Sequence, residues 1–150
     1  MPNKSERFRL AAQALAFARI RNRSGISILV EGKKDRRALQ ALEFTGSIEL
    51  VNRGWSMERL AGWFAEHLQN DKSKDGKAPL ILLMDWDRTG GRIQSDLRRR
   101  LQALDIQVDE ELRRVLSKVL KPETRVVESL YSMVDELLEQ IETFDYLEEE

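Results

Sequence analysis

Cysteine is absent from this chain. That absence excludes disulfides, thiolate zinc sites and a cysteine nucleophile together, and a cytoplasmic protein is the simplest expectation. No run of about 18 apolar residues occurs, so no membrane-spanning helix and no membrane partner is expected. The opening Met1-Pro2-Asn3-Lys4-Ser5-Glu6-Arg7 mixes charges without an apolar stretch, which argues against a secretion signal. A strong charge of one sign is lacking too: the formal net charge is -1, so the molecule as a whole is not a basic nucleic-acid binder.

What is present suffices for one globular domain. The 150 residues are 41% hydrophobic, enough for a core. Charge is uneven along the chain. Arg7, Arg9, Arg19, Arg21 and Arg23 crowd the first segment, Arg88, Arg92, Arg98, Arg99 and Arg100 a later one, and Glu148-Glu149-Glu150 is acidic. Local basic patches can bind phosphate even when the total balances. The bland alternative, preferred for Arg98 to Arg100, is a solvated helix face.

Periodicity predicts alternating elements. Residues 5–22 read as a helix capped by Ser5, with Phe8, Ala12, Leu15 and Arg19 in register and Ala11, Ala14 and Ala18 between them. This alanine-rich helix is expected to pack on the domain, or to serve as a homodimer or protein-partner surface. Residues 26–30, 48–51, 80–84 and 106–108 read as strands, and residues 34–43 as a helix between the first two. A helix capped by Ser56 follows, with Met57, Leu60, Ala61, Phe64 and Leu68 on its apolar side. Residues 71–77 form a polar loop. Gly90-Gly91 opens a helix with Ile93, Leu97, Leu101 and Leu104 inward, a further helix ends before Pro122, and 128–142 is the last. Strand 80–84 has no polar residue, as in strands covered on both faces. The alternation implies an α/β fold with a central, mostly parallel four-stranded sheet and helices on both faces.

Two acidic stretches follow two of these strands: Glu31-Gly32-Lys33-Lys34-Asp35 and Asp85-Trp86-Asp87-Arg88-Thr89-Gly90. Open α/β sheets bind ligands beyond the carboxyl ends of their strands. In extended backbone Asp85 and Asp87 share a side, and paired carboxylates are hard ligands suited to Mg²⁺. Gly32 and Gly90 remove side chains where a phosphate or a helix start must come close. Either stretch alone is modest evidence: an Asp-x-Asp can be a cap and a turn, and a Glu-Gly can be a loop. In order, at the ends of two apolar strands, they are far more specific.

Glu31-Gly32-x-x-Asp35, followed about fifty residues later by Asp85-x-Asp87-x-x-Gly90, resembles the signature of the Toprim domain. That Rossmann-like fold is shared by type IA and type II topoisomerases, bacterial-type primases and several nucleases. The resemblance spans residues 26–127, with 1–25 a packing helix and 128–150 a terminal helix and acidic tail. The chain looks most like the small stand-alone archaeal members. The resemblance implies that Glu31 is a general acid or base, or at times a ligand, and that Asp85 and Asp87 hold Mg²⁺, with Mn²⁺ as the alternative. Such chemistry needs charge neutralisation at the phosphate and a proton carrier. Asp35 reads as a carboxylate complementing the helix dipole. Lys33, Lys34, Arg53, Arg88 and Arg92 flank the site in sequence and are candidate phosphate-binding cations.

Departures from the larger family members narrow the reaction. Tyr131 and Tyr146 lie on or after the last helix, with no separate domain to carry a topoisomerase nucleophile, and read as packing or surface residues. A primase core and zinc module are missing. Hydrolysis of a DNA or RNA phosphodiester remains, making a nuclease the sharper reading. A non-catalytic nucleic-acid-binding or adaptor subunit of a larger replication, repair or RNA-processing machine is the rival, and nucleotide rather than polymer chemistry a third. His67 reads as solvent-facing. Trp55 reads as packed under its loop, although an exposed ring stacks bases. Trp63 lies off the apolar stripe and reads as cover for a neighbour.

Overall fold

The computed structural model describes residues 2–68 and 76–149, leaving out the side chains of 146–149. The polar loop 71–77 therefore lies mostly outside the described residues, as do the side chains of Tyr146 and of the acidic tail. Four strands, β1 (Ser27–Val30), β2 (Ile48–Leu50), β3 (Leu80–Leu82) and β4 (Val108–Asp109), form one sheet in the order β2-β1-β3-β4. Every pairing is parallel, with Ile28 opposite Ile48 and Ile81. The helices are α1 (Lys4–Arg23), α2 (Lys33–Ala41), α3 (Met57–Leu68), α4 (Arg88–Ala103), α5 (Glu111–Val119) and α6 (Val134–Glu149), with a 3-10 segment at Val127–Met133.

The inner strands explain the layering. Side chains alternate faces along a strand. Ile28, Val30, Ile81 and Leu83 enter one core with α1, α2, α5 and α6. Leu29, Leu80, Leu82 and Met84 enter the other with α3 and α4. All eight are essentially sealed from solvent, and burying each stabilises the fold by about 1.5–3 kcal/mol. This is the expected α/β architecture, with both predicted site-bearing strands at its centre.

Several local expectations are corrected. The cap of α1 is Asn3, whose side chain accepts from the Glu6 amide at 2.9 Å, and not Ser5. The alanine face of α1 is covered within the chain: Ala11, Ala12, Ala16 and Ala18 are buried, and α1 packs on α5 and α6. Three of its five arginines, Arg7, Arg19 and Arg21, are buried as well, while Arg9 and Arg23 are exposed. Arg7 donates to Val119 O at 2.7 Å and pairs with Glu123, Arg19 pairs with Asp145, and Arg21 pairs with Asp109 at 2.8 Å. These three arginines are structural and form no nucleic-acid patch. Leu104 is 45% exposed because it falls at the C-cap of α4. The predicted last helix, α6, is preceded by the 3-10 segment, whose first amide, Val127 N–H, donates to Asp85 Oδ1. Arg98 pairs with Glu110, and Arg99 and Arg100 pair with Asp96, which accords with the solvated-face reading.

Candidate metal centre

β1 and β3 end side by side. The ladder continues one step past β3, with Leu83 N–H donating to Leu29 O at 2.9 Å. The residues that follow, Glu31 and Asp85, therefore emerge together, and Glu31 Oε2 accepts the Asp85 amide at 3.1 Å. Asp35, in the first turn of α2, reaches back to the same point and accepts the Gly32 amide at 3.0 Å. Asp85 Oδ1 accepts the Val127 amide at 2.7 Å. One carboxylate oxygen from each of Glu31, Asp35 and Asp85 lies within 4.8 Å of the other two. They line a cleft of about 500 Å³ with Lys33, Lys34, Asn52 and Glu128.

Crowding of like charges shapes the electrostatics. Burial first, then a hydrogen bond to the Asp85 carboxylate and the charges of Asp85 and Asp35, push the Glu31 carboxyl from 4.5 to about 7. Burial chiefly, reinforced by the charges of Asp85 and Glu128, pushes Asp35 from 3.8 to about 6 against the stabilising Gly32 amide. Carboxylates raised in this way hold protons that a cation would displace. Three convergent hard oxygen donors, two of them reluctant to ionise alone, fit a divalent cation of the Mg²⁺ type.

The backbone beneath the cluster is tightly specified. A Cβ on Gly90 would lie 2.0 Å from the Asp85 carbonyl oxygen, so only glycine lets the first turn of α4 close on this loop. A Cβ on Gly32 would meet nothing nearer than Asn52 Nδ2 at 3.7 Å, so there the protein itself does not demand glycine. Trp86 is buried and tied by its amide to Arg125 O at 2.9 Å and by its indole N–H to Thr124 O at 2.7 Å. Arg113, on α5, donates to Met84 O at 3.2 Å and to Asp85 O at 3.0 Å.

The predicted site residues divide into three groups. Glu31 and Asp85 meet as expected, with Lys33 and Lys34 exposed at the cleft. Asp87 is the N-cap of α4, its Oδ1 accepting from the Gly90 amide at 2.7 Å, and is not one of the three clustered carboxylates. Arg88 and Arg92 are exposed at the start of α4 and make no ion pair or hydrogen bond among the described residues, while Arg53 is engaged elsewhere. The Arg53 guanidinium donates to Leu50 O at 2.6 Å, pairs with Glu49 at 2.8 Å and sits 5.0 Å from the Trp55 ring centre. Asp35, Glu128 and Arg113 were not singled out for the site. For Asp35 the signal was its spacing one helical turn beyond Glu31; the other two come from distant segments.

Fold and site together define a small three-layer α/β protein with a carboxylate centre at the carboxyl edge of its sheet. The chain belongs to the UPF0292 family. It is 30% identical over 116 residues to a UPF0292 protein of Methanosarcina acetivorans, spanning 77% of this chain and 74% of that one. It is also 30% identical over 115 residues to one of Methanosarcina barkeri, spanning 75% and 72%, and 29% identical over 115 residues to one of Thermococcus sibiricus, spanning 77% and 82%. No family model matches the chain. Among solved structures, a putative protein from Aquifex aeolicus is similar with a TM-score of 0.53 at 25% identity, covering 86% of this chain and 99% of that one. Among the described residues no helix is long and apolar enough to cross a membrane.

Proposed function

We propose that this chain is a Toprim-type, Mg²⁺-dependent nuclease that hydrolyses phosphodiester bonds of DNA or RNA in the cytoplasm. The observation that carries the reading is the convergence of Glu31, Asp35 and Asp85 at the ends of adjacent parallel strands. It rests on the Toprim-like spacing of Glu31 and Asp85 and adds Asp35 to the ligand set. Bound there, Mg²⁺ supplies charge neutralisation at the scissile phosphate. Asp85 and Asp35 would hold the cation. Glu31, whose Oε2 accepts the Asp85 amide beside both ligands, is placed to carry a proton. Asp87 fixes the start of α4 and, through it, the position of Arg88 and Arg92. Lys33 and Lys34, exposed beside the carboxylates, and those two arginines supply cations for neighbouring phosphates.

The test is incubation of the purified chain with labelled single- and double-stranded DNA and RNA, in Mg²⁺ or Mn²⁺ and in EDTA. Cleavage in metal that vanishes in EDTA, and that falls by about a hundredfold in Glu31→Gln with nucleic-acid binding retained, is the expected result. Binding without cleavage under every condition overturns hydrolysis and leaves the adaptor reading.

A further inference from the structure

A second groove opens beside the carboxylate cleft, between the β2–α3 loop and α4. Asn52 lines both, so the two adjoin at that residue. The groove has a volume of about 870 Å³, within the range of about 300–1,000 Å³ typical of ligand clefts. Half-buried Trp55, Met57 and Ile93 give it an apolar floor, and exposed Arg92 and Arg99 give it a cationic rim. Its one acidic side chain, Asp96, is neutralised by Arg99 at 3.3 Å and Arg100 at 3.0 Å.

The aromatic component is held in place before any ligand arrives. Arg53, fixed by Leu50 O and Glu49, lies 5.0 Å from the Trp55 ring centre and 5.6 Å from that of Trp63. Trp63 lies 6.3 Å from Trp55 and stacks on His67 at 3.9 Å. Arg59, exposed and without a side-chain hydrogen bond or ion pair among the described residues, lies 4.2 Å over Trp55. A planar group can displace this guanidinium or sandwich with it. An aromatic ring fixed beside a row of cations is the arrangement that grips unpaired nucleic acid, because every base offers a face to stack and every phosphate a charge to pair. A paired duplex buries its base faces and cannot use the ring.

Resting on the nuclease reading above, we infer that this groove is a base-stacking subsite centred on Trp55, which selects an unpaired strand and leads its backbone past Asn52 to the carboxylates. The substrate class is single-stranded DNA or RNA, or an unpaired segment of a longer molecule. Arg92 and Arg99 hold the backbone phosphates and Trp55 holds a base. Arg53 supports the ring and touches no phosphate.

The experiment is fluorescence anisotropy on the full chain in EDTA, where nothing is cleaved. The probes are labelled oligonucleotides of about twelve nucleotides: a uridine homopolymer, a thymidine homopolymer, and a duplex of matched length. Trp55→Ala is expected to weaken both single strands about tenfold or more, the contribution of one stacked base, while Trp55→Phe restores most of the loss and duplex affinity is unmoved. The uridine and thymidine arms separate RNA from DNA. Circular dichroism of each variant guards against a folding defect. Equal affinities of wild type and Trp55→Ala for both single strands, in a protein that binds and cleaves, overturn the subsite and leave the nuclease reading standing. Binding that depends on Trp55 without cleavage in metal supports the subsite and overturns hydrolysis. No binding of any probe overturns both.

Discussion

Replacing Asp35 by asparagine probes the energetic state of the carboxylate cluster. Asp35 is 7% exposed and its carboxyl is raised from 3.8 to about 6, mainly by burial and then by the charges of Asp85 and Glu128. A carboxyl raised on folding binds its proton more tightly in the native state. Its contribution is therefore fully present below the unfolded value and is lost as pH climbs through about 6. At about 1.4 kcal/mol per pH unit the rise corresponds to at most about 3 kcal/mol, and solvent reaching the open cleft reduces it to about 1–2 kcal/mol. Asparagine keeps an oxygen to accept the Gly32 amide and removes the charge. In EDTA at about pH 8, Asp35→Asn should unfold about 2–6 °C higher than wild type, with the difference shrinking towards about pH 5. Excess Mg²⁺ should reverse the order, because only the wild type gains fully from binding. Thermal unfolding followed by circular dichroism across that range, with EDTA and with Mg²⁺, reads all of this. An asparagine variant less stable than wild type at the alkaline end in EDTA, or a wild-type stability that does not change with pH, refutes the reasoning.

Three further outcomes follow from the geometry. Gly90→Ala puts a methyl group 2.0 Å from the Asp85 carbonyl, and urea denaturation should show a loss of about 2–4 kcal/mol as the loop shifts. Arg113→Ala removes the donors to Met84 O and Asp85 O, so stability should fall by about 1–3 kcal/mol, and metal affinity measured by calorimetry should fall with it. Lys33→Ala combined with Lys34→Ala should reduce the slope of log affinity for nucleic acid against log salt by about two, whereas Arg53→Ala should leave that slope unchanged and lower stability, since Arg53 is tied to Glu49 and Leu50.

The sheet was legible because its strands are short apolar runs separated by helical periodicity, a pattern set by local chemistry. Glu31 and Asp85 were legible for the same reason: each stands directly after such a strand, and parallel pairing of β1 with β3 brings them together. Asp35 is the helix-start carboxylate its spacing predicts, and it has a second relation that the spacing does not show. Its spacing fits a helix-start carboxylate, and it accepts the Gly32 amide as one does, but only the three-dimensional course of α2 shows that the same side chain faces Asp85. Asp87 is expected beside Asp85 from extended alternation; the chain turns into α4 there, and one of its carboxylate oxygens caps that helix. Arg113 and Glu128 come from segments whose distance from the site is fixed by tertiary packing. The buried arginines of α1 were hidden because charge in a sequence does not disclose burial; Arg19 and Asp145 meet across 126 positions.

The central claim is that Asp35 and Asp85 hold the cation, with the Glu31 carboxylate beside them. Electron paramagnetic resonance of Mn²⁺ titrated into wild type, Asp35→Asn, Asp85→Asn and Asp87→Asn addresses it most directly. Binding of one Mn²⁺ per chain, weakened by about tenfold or more in the Asp35 and Asp85 variants and little changed in the Asp87 variant, whose asparagine still caps α4, is the predicted result. Saturation that is indifferent to Asp35 and Asp85, or that depends on Asp87 alone, contradicts it.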